Sequence, residues 1–506
     1  MLQHLQSTED QSATIEALAS GAATGEGGPL QRIDTHMSHL FLGRERVYKL
    51  KRSRRHPFVD LSSLAARQRC CEAELTVNKA LAPDLYESFR PVTRAPDGVI
   101  RVGGDGDVVD WVVVMRRFPD QSLLLDLAEA GELTPALARD TAEVVARFHA
   151  AQPSEPQVGR PVDYERILAG LRKTEAEAAA DLGVTPTSRT LFEALDHEVS
   201  RLSPLIEARR RAGWVRRGHG DLHLRNICLV NGQVTPFDAL EFDPTLATAD
   251  VLYDTAFLLM DLHARGLRGL ANVAMNRYWD AAGQPESALA LLPLFMALRA
   301  AVRMAVAVEA QDLVEAARYR ALALELLKPV KPRLVAVGGL SGSGKSTVAE
   351  ALAPDVAGSC GGRVLRSDVI RKALAEVEES ASLPQQAYEP AARAGIYQAL
   401  AGRAREALAA GISAVVDATF QEAHARAAIE GVAGDHSFIG LWLRGSPESR
   451  VARIAARRKG ASDATPAVAL AQAEPRGFSS SWRVLDADLP LSDVLREARK
   501  ALGATP

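Results

Sequence analysis

Two clusters of polar residues have the types and spacing needed to hold a phosphorylated ligand and a divalent cation. The first is "HGDLHLRN", in which Asp221 and Asn226 are five residues apart, followed after "ICLVNGQVTPF" by Asp238. A carboxylate can orient an acceptor hydroxyl or accept its proton, and carboxylate and amide oxygens are ligands for Mg²⁺. The spacing therefore predicts Asp221 as the catalytic residue and Asn226 and Asp238 as metal ligands.

The second cluster is "VGGLSGSGKST", Val337 to Thr347, which fits the pattern G-x-x-x-x-G-K-[ST] between an apolar strand and a helix. Glycines let several backbone N–H groups face one anion at a helix N-terminus. Lys345 adds a cation for the β- and γ-phosphates, and the Ser346 hydroxyl can bind Mg²⁺. The predicted nucleotide-binding residues are Gly339, Leu340, Ser341, Gly342, Ser343, Gly344, Lys345, Ser346 and Thr347. The competing interpretation is a glycine-rich turn that carries a lysine by chance.

Around this loop, most of 333–506 resembles the small P-loop kinases of the gluconate, shikimate and polynucleotide kinase type. The resemblance implies that Asp368 lies near the acceptor or a metal, with Arg366 and Arg371 available for an anionic acceptor. It also implies that Asp417, in "AVVDATF", is a Walker-B-like metal ligand. A shared location at the carboxyl ends of strands favours these roles, because open α/β sheets bind ligands there. Each aspartate taken singly is about as compatible with a helix cap or a turn.

Basic residues recur at helical spacing in "ESRVARIAARRKGASDAT". The segment resembles the lid of a P-loop kinase, which implies that Arg453, Arg457 and Arg458 neutralise charge on the transferring phosphoryl group. A solvated basic helix face explains the pattern equally well.

The first two-thirds of the chain resembles the aminoglycoside phosphotransferase and choline kinase-like branch of the protein-kinase fold, whose loop reads His-Gly-Asp-x-His-x-x-Asn. The matching residues are His219, Gly220, Asp221, His223 and Asn226. The resemblance implies that Lys49, in "RVYKLK", binds the α- and β-phosphates of ATP with Glu74 as its helix partner. Lys51 and Glu72 are the alternatives, because each lies two residues away. The hinge to adenine is expected at Met115 to Phe118, with Met115 as a cofactor contact.

Departures from protein kinases narrow this interpretation. The first hairpin has no G-x-G-x-x-G and offers only Gly43, and no activation segment is visible, which argues against a protein substrate. Asp254, in "DVLYDTAFLL", matches a helix start of the same family and is expected to be structural. His219 and His223 alone would suggest zinc ligands, but no Glu completes an H-E-x-x-H pattern, so the kinase loop is favoured.

Composition excludes several classes of protein. With 506 residues, a net charge of −3 and 47% hydrophobic residues, the chain predicts two or three globular domains and no general affinity for nucleic acids or lipids. Its four cysteines form no Cys-x-x-Cys pair, which favours a reducing, cytoplasmic compartment. The N-terminus lacks a signal pattern, and the apolar run 291–310 contains three charged residues, which predicts a core helix and no membrane span.

The first cluster is preceded along the chain by predicted strands. "HLFLGRERVYKLKR" predicts two strands joined by a turn at Gly43 to Arg46, followed by a helix over 61–82 and a hairpin in "GVIRVGGDGDVVDWVVVMRRF". The chain then takes the 3.6-residue period of helices. A small mixed lobe therefore precedes a larger helical lobe, an α+β arrangement like the bilobal protein-kinase-like domain that the resemblance implies.

From 333 onward, strand-like and helical segments alternate as far as "SFIGLWLRG" and helices follow to the end, which predicts a parallel α/β sheet. The predicted fold class is therefore α/β and α+β in two domains. The predicted segments are an N-terminal helix and flexible segment (1–30), a phosphotransferase-type domain (31–327), a linker (328–332) and a P-loop kinase-like domain (333–506).

As a whole, the chain resembles bacterial fusions of an aminoglycoside phosphotransferase-like domain with a P-loop ATP-binding domain. This implies a cytoplasmic, ATP-dependent and Mg²⁺-requiring phosphotransferase with two nucleotide sites and a small-molecule hydroxyl acceptor. The alternative is a regulatory protein whose domains bind ATP without phosphorylating a small molecule. Action on nucleic-acid ends is disfavoured, because no strong basic, aromatic-laced pattern occurs. The sequence does not indicate an oligomeric state.

Overall fold

Two β-sheets organise the chain in the computed structural model, which describes residues 9–55, 59–182, 187–241, 247–456 and 461–503. Packing assigns Met1–Asp261 and Ala301–Ala316 to a first unit, and Leu262–Ala300 and Ala317–Pro506 to a second. These divisions fall within helices, away from residues 328–332, and the predicted linker there stays a prediction.

The first unit is built on a six-stranded antiparallel sheet with the order β1-β2-β3-β6-β4-β5. Its strands are β1 (Gln31–Asp34), β2 (Ser38–Leu42), β3 (Arg46–Lys51), β4 (Tyr86–Arg94), β5 (Ile100–Val102) and β6 (Asp107–Arg116). The strands predicted on either side of Gly43 are confirmed as β2 and β3. The hairpin predicted in 98–118 is wrong, because β4 lies between β5 and β6. A tight turn closed by Ala95 and Val99 joins β5 to β4 instead.

Helices cover the two faces of this sheet, because alternate residues of a strand point to opposite sides. The helix α1 (Ser12–Ala19) contributes Leu18 to a core cluster that includes Leu50 of β3. The helix α2 (Leu64–Leu81) packs against β4 and β6. Lys49 and Lys51 flank Leu50 in sequence and contact α2 through Glu74. The pleat of β3 therefore separates an apolar face from a charged one.

Helices and two small sheets complete the first unit and carry the "HGDLHLRN" segment. The helices are α3 (Leu124–Glu129), α4 (Pro135–Ala151), α5 (Pro161–Leu182), α6 (Arg189–Arg211) and α7 (Val251–Ala264), whose last three residues fall in the second unit. The strand β7 (Val215–Arg217) pairs with β10 (Thr248–Asp250), and β8 (Ile227–Val230) pairs with β9 (Gln233–Pro236). The functional segment thus lies between β7 and β8, and Asp238 follows β9 directly.

The second unit is built on a five-stranded parallel sheet with the order β12-β13-β11-β14-β15. Its strands are β11 (Arg333–Gly339), β12 (Arg363–Arg366), β13 (Ala414–Asp417), β14 (Ser437–Arg444) and β15 (Trp482–Asp486). The predicted parallel sheet is confirmed, but the all-helical end predicted after β14 is wrong, because β15 adds a fifth strand. Trp482 of β15 lies over Gly440 so closely that a Cβ on this glycine would come within 2.2 Å of the indole.

The carboxyl ends of β11, β13 and β12 are aligned by register, with Val337 and Arg366 both opposite Asp417. The helices of the unit are α8 (Arg268–Ala282), α11 (Lys345–Leu352), α12 (Ser367–Leu374), α13 (Pro390–Ala409), α14 (Ala423–Val432), α15 (Pro447–Ala455), α16 (Pro466–Ala471) and α17 (Leu491–Ala501). The helices α9 (Leu292–Glu309) and α10 (Leu313–Leu326) contain residues of both units.

Among the described residues, the helical stretch Glu286–Glu309 is long and apolar enough to cross a membrane by length and composition. However, 78% of its most apolar window is buried inside the protein. This burial agrees with the core helix predicted for the apolar run at 291–310.

Candidate active sites

A chain of ion pairs joins the first sheet to α2 and to the segment after β9. Lys49 Nζ lies 2.7 Å from Glu74 Oε1 and 2.5 Å from Asp238 Oδ1. Lys51 Nζ lies 2.5 Å from Glu74 Oε2 and 2.5 Å from Glu241 Oε1. Glu74 is completely buried. It bridges the two lysines, with one lysine on each carboxylate oxygen.

This geometry bears on the alternatives that the sequence left open. Glu72 is exposed on α2, whereas Glu74 faces both lysines. Of the two lysines, only Lys49 reaches the carboxylate of Asp238 in the described contacts, and Lys51 is 1% exposed. Burial alone would lower the pKa of Lys49, but the carboxylates of Asp238 and Glu74 outweigh it and raise this pKa, so the ammonium stays charged.

The segment "HGDLHLRN" is held from both sides. Asn226 Nδ2 donates to Asp221 Oδ2 at 2.9 Å and to the Asp221 carbonyl at 3.0 Å, and His223 Nε2 lies 3.3 Å from the same Oδ2. Asp254, the first-turn acid of α7, accepts hydrogen bonds from the backbone amides of His219 and Gly220. The structural role predicted for Asp254 is therefore to fix the backbone that carries Asp221.

Asp238 has a left-handed backbone, with φ of 62°, which is uncommon for a residue with a side chain. Its amide donates to the Tyr86 hydroxyl at 3.2 Å, and the next residue is bound through its amide and carbonyl to the Asn78 side chain. Burial alone would raise the pKa of Asp238, but the adjacent Lys49 ammonium holds it below its usual value. The fold thus presents an ionised carboxylate at a constrained backbone position.

The two histidines of this segment and Met115 are also candidate ligand contacts by sequence. The ring atom His219 Nε2 bonds to the Phe237 carbonyl at 2.8 Å, while His223 faces Asp221, so the two histidines have different partners. Within the described ranges, no group of three or more His, Cys, Asp or Glu side chains could hold a metal ion by itself. Met115 lies on β6 with its side chain in an apolar cluster that includes Cys71 and Tyr86. Its role as an adenine contact stays a prediction.

The loop from Gly339 to Thr347 has the glycine conformations that its pattern implies. Gly339, Gly342 and Gly344 have φ values of 152°, 84° and 90°. A Cβ at Gly342 would lie 2.4 Å from the Arg450 carbonyl oxygen, and one at Gly339 would lie 2.5 Å from Ser343 Oγ. Only glycine fits these positions without strain, and α11 starts directly afterwards at Lys345.

Side chains around this loop form a second polar cluster. Ser346 Oγ donates to Asp417 Oδ2 at 2.5 Å, and Lys345 Nζ donates to the Leu340 carbonyl at 3.1 Å. Asp417 is 4% exposed, and burial raises its pKa although Lys345 and Arg366 oppose the shift. The two metal ligands predicted here, Ser346 and Asp417, are therefore in direct contact.

Residues of the predicted acceptor side lie beside this cluster. Arg366 Nε lies 3.8 Å from Asp417 Oδ2, and Arg371, one turn along α12, pairs with Asp368 at 2.7 Å. The structure thus brings Arg366 to Asp417, and it pairs Asp368 with Arg371.

Of the lid arginines predicted to act on the phosphoryl group, Arg453 lies within the described residues. Arg453 donates to the Ser343 carbonyl at 3.4 Å and to the Ala487 carbonyl at 2.5 Å, so it reaches the phosphate loop. Arg457 and Arg458 lie outside the described residues. Sequence reasoning missed Gln472, whose side-chain oxygen accepts from the Ser341 amide at 2.8 Å, and no local pattern marks that glutamine.

Comparisons with known proteins match the two parts of the chain to two different families. Residues 43–291 match the phosphotransferase enzyme family, and residues 334–475 match an AAA domain family. "Uncharacterized protein Rv2004c" of Mycobacterium tuberculosis (strain ATCC 25618 / H37Rv) is 30% identical over 459 residues, covering 87% of this chain and 89% of the relative. The chain belongs to the same family as this mycobacterial protein. Its first region is a phosphotransferase enzyme domain and its second a P-loop kinase-like domain, so the predicted fold class is confirmed.

Two solved structures illustrate the likeness of parts of the chain. A sugar kinase from Janibacter sp. HTCC2649 is 24% identical, with 35% of this chain and 96% of that chain covered and a TM-score of 0.28. A choline/ethanolamine kinase family protein from Mesorhizobium loti is 15% identical, with 62% and 99% covered and a TM-score of 0.34.

Proposed function

We propose that this chain is an ATP-dependent phosphotransferase with two nucleotide sites that transfers the γ-phosphate to a hydroxyl of a small-molecule acceptor. The observation that carries the proposal is that Lys49 forms ion pairs with both Glu74 and Asp238. The three residues come from a strand, a helix and a loop. Phosphoryl transfer needs a fixed cation on the phosphates and acidic groups for metal and acceptor, and little other chemistry. This set supplies both, with Asp221 in the neighbouring segment.

In the first site, Lys49 contacts the α- and β-phosphates while Glu74 holds its ammonium in place. The acceptor oxygen bonds to the γ-phosphorus, its proton passes to the Asp221 carboxylate, and the bond from the γ-phosphorus to the bridging oxygen breaks to release ADP. Asn226 and Asp238 offer the oxygen donors that suit Mg²⁺, which is commonly held by one or two protein oxygens together with phosphates and water. When bound, Mg²⁺ neutralises and orients the phosphates.

In the second site, the amides of the 339–347 loop hold the phosphates of another ATP, with Lys345 on the β- and γ-phosphates. Ser346 and Asp417 fit Mg²⁺, because a hydroxyl and a buried carboxylate already lie in contact there. Asp368 faces the acceptor, and Arg453 and Arg457 neutralise charge on the transferring group.

The proposed location of this enzyme is the cytoplasm. Its proposed partner is a small-molecule substrate that carries a hydroxyl group. Support comes from the four cysteines, which are all free and buried, and from the near-neutral composition. Nothing in the sequence gives a strong nucleic-acid signal.

Screening ATP consumption by the full chain against a panel of small hydroxyl compounds tests the proposal, with Asp221→Ala and Lys345→Ala examined separately. Each substitution is expected to abolish one acceptor-dependent activity and to leave the other. ATP turnover that neither substitution lowers contradicts the proposal. Magnesium-dependent ATP binding without transfer to any acceptor supports the regulatory alternative.

A further inference from the structure

The helix α8 (Arg268–Ala282) has a position that the family matches do not suggest. It lies within residues 43–291, the range that matches the phosphotransferase enzyme family. Its packing, however, places it in the second unit with the parallel sheet. A segment of the first sequence domain is therefore part of the structure that carries the phosphate loop.

Buried polar contacts fix α8 against the strand β12. Arg363, which is 1% exposed, pairs with Asp280 of α8 at 2.5 Å and with Glu286, which follows that helix, at 3.0 Å. Asn276 accepts from the Val364 amide at 2.7 Å. Desolvated charges with several partners are costly to separate, so these contacts hold α8 against β12.

A second line of contacts runs from α8 to the proposed metal site. Arg277 lies 2.6 Å from Glu379 Oε2, and Glu379 Oε1 lies 3.6 Å from Arg366. Arg366 in turn lies 3.8 Å from Asp417, which accepts the hydrogen bond from Ser346 at 2.5 Å. Four charged side chains of alternating sign thus lead from α8 to the phosphate loop.

Arg366 depends on this line for its position. Its Nε is buried and has no hydrogen-bond partner among the described residues, and its Nη1 donates to Glu350 at 3.4 Å, so its anionic neighbours decide where the guanidinium lies. Its anionic neighbours are Glu379, Glu350 and Asp417, at 3.6, 3.4 and 3.8 Å. Because Arg277 shares the charge of Glu379, it limits the pull of Glu379 on Arg366 and leaves Arg366 beside Asp417.

We propose that Arg277 is a positioning residue of the second nucleotide site and acts through Glu379 and Arg366 on the carboxylate of Asp417. The inference rests on the proposed function of that site. It makes α8 a physical part of the second site, although the sequence assigns this helix to the first domain.

The test uses the full chain with the first site silenced by Lys49→Met and Asp221→Asn, and measures binding of a fluorescent ATP analogue with Mg²⁺ and with EDTA. Arg277→Met should raise the dissociation constant in Mg²⁺ by about three- to thirtyfold, the range seen when residues of a coupling network are replaced. The value in EDTA should change less than about twofold on the same basis, because the line of contacts ends at the metal ligand. Arg277→Lys should recover most of the affinity.

Two further variants separate positioning from general damage. Arg268→Met removes an exposed arginine of the same helix, which pairs with Glu325, and should leave the affinity unchanged. Adding Glu379→Gln to Arg277→Met should weaken binding no more than the weaker-binding single variant, because residues that act in series are not additive.

The outcomes distinguish failure of the proposed role of Arg277 from failure of the second nucleotide site itself. Arg277→Met with unchanged affinity in Mg²⁺ overturns the inference and leaves the second site standing. An equal loss in Mg²⁺ and EDTA, or an equal loss in Arg268→Met, also overturns it. If the silenced parent chain binds no magnesium nucleotide, the proposed second site fails and the inference fails with it.

Discussion

The two lysines of β3 should respond in opposite ways to the same substitution. Lys49 and Lys51 both contact Glu74, but their second partners are Asp238 and Glu241 respectively. We predict that Lys49→Met mainly removes activity and that Lys51→Met mainly removes stability.

The magnitudes follow from what each substitution leaves behind. Without Lys51, the side chains of Glu74 and Glu241, 0% and 7% exposed, lose a buried partner, and this should lower the free energy of unfolding by about 3–5 kcal/mol. Without Lys49, Glu74 keeps Lys51, and the Asp238 side chain is 41% exposed and can be hydrated. The cost should then be about 1 kcal/mol or less. First-site turnover should nevertheless fall by about 10²–10³-fold, as when a group that stabilises transition-state charge is removed.

The assay pairs urea unfolding with first-site ATP turnover in the Lys345→Ala background. Glu241→Gln provides a control, because adding it to Lys51→Met removes the uncompensated carboxylate and should recover part of the lost stability. The reasoning is refuted if Lys49→Met unfolds the protein while folded Lys51→Met loses the larger share of turnover, since Lys51 would then be the lysine that binds phosphate.

Three other predictions concern a loop anchor, a glycine and a histidine. Asp254→Asn loses the charge-assisted bonds that hold two amides of the catalytic segment, and first-site kcat should fall by about 10–100-fold; an unchanged kcat would argue against this anchoring role. Gly342→Ala places a Cβ against the Arg450 carbonyl and should weaken nucleotide binding at the second site about tenfold or more, whereas Gly395→Ala, which has open space, should not. Burial holds the pKa of His263 at about 4, so its contribution to stability is lost as pH falls below the unfolded value near 6.5. At pH 4.5 the loss should reach about 2–3 kcal/mol, and His263→Gln should flatten the dependence of unfolding free energy on pH between 7 and 4.5; equal pH profiles would contradict the assignment.

The parts of this structure that the sequence predicts are those that short segments determine. The phosphate loop follows from its glycines and from the strand and helix on either side of it, and the parallel sheet follows from the alternation after Arg333. The spacing of Asp221 and Asn226 likewise places both side chains in one turn, where they form a hydrogen bond.

Long-range contacts account for most of what the sequence did not predict. The strand β4 enters between β5 and β6, and β15 joins the far edge of the second sheet, because partners distant along the chain decide strand pairing. Gln472 and the Ser341 amide are 131 residues apart in sequence, and no local sequence pattern predicts their contact. Similarly, the charges of Lys51 and Glu241 predict solvent exposure by residue type, but a buried ion pair overrides that expectation.

The number of ATP molecules bound per chain distinguishes two separate nucleotide sites from one. Equilibrium binding of a nonhydrolysable ATP analogue with Mg²⁺ should give two molecules per chain in the unaltered protein and one in Lys345→Ala or in Lys49→Met. The chain that carries both substitutions should bind none. One nucleotide per unaltered chain, or two retained after Lys345→Ala, would contradict the existence of two separate sites.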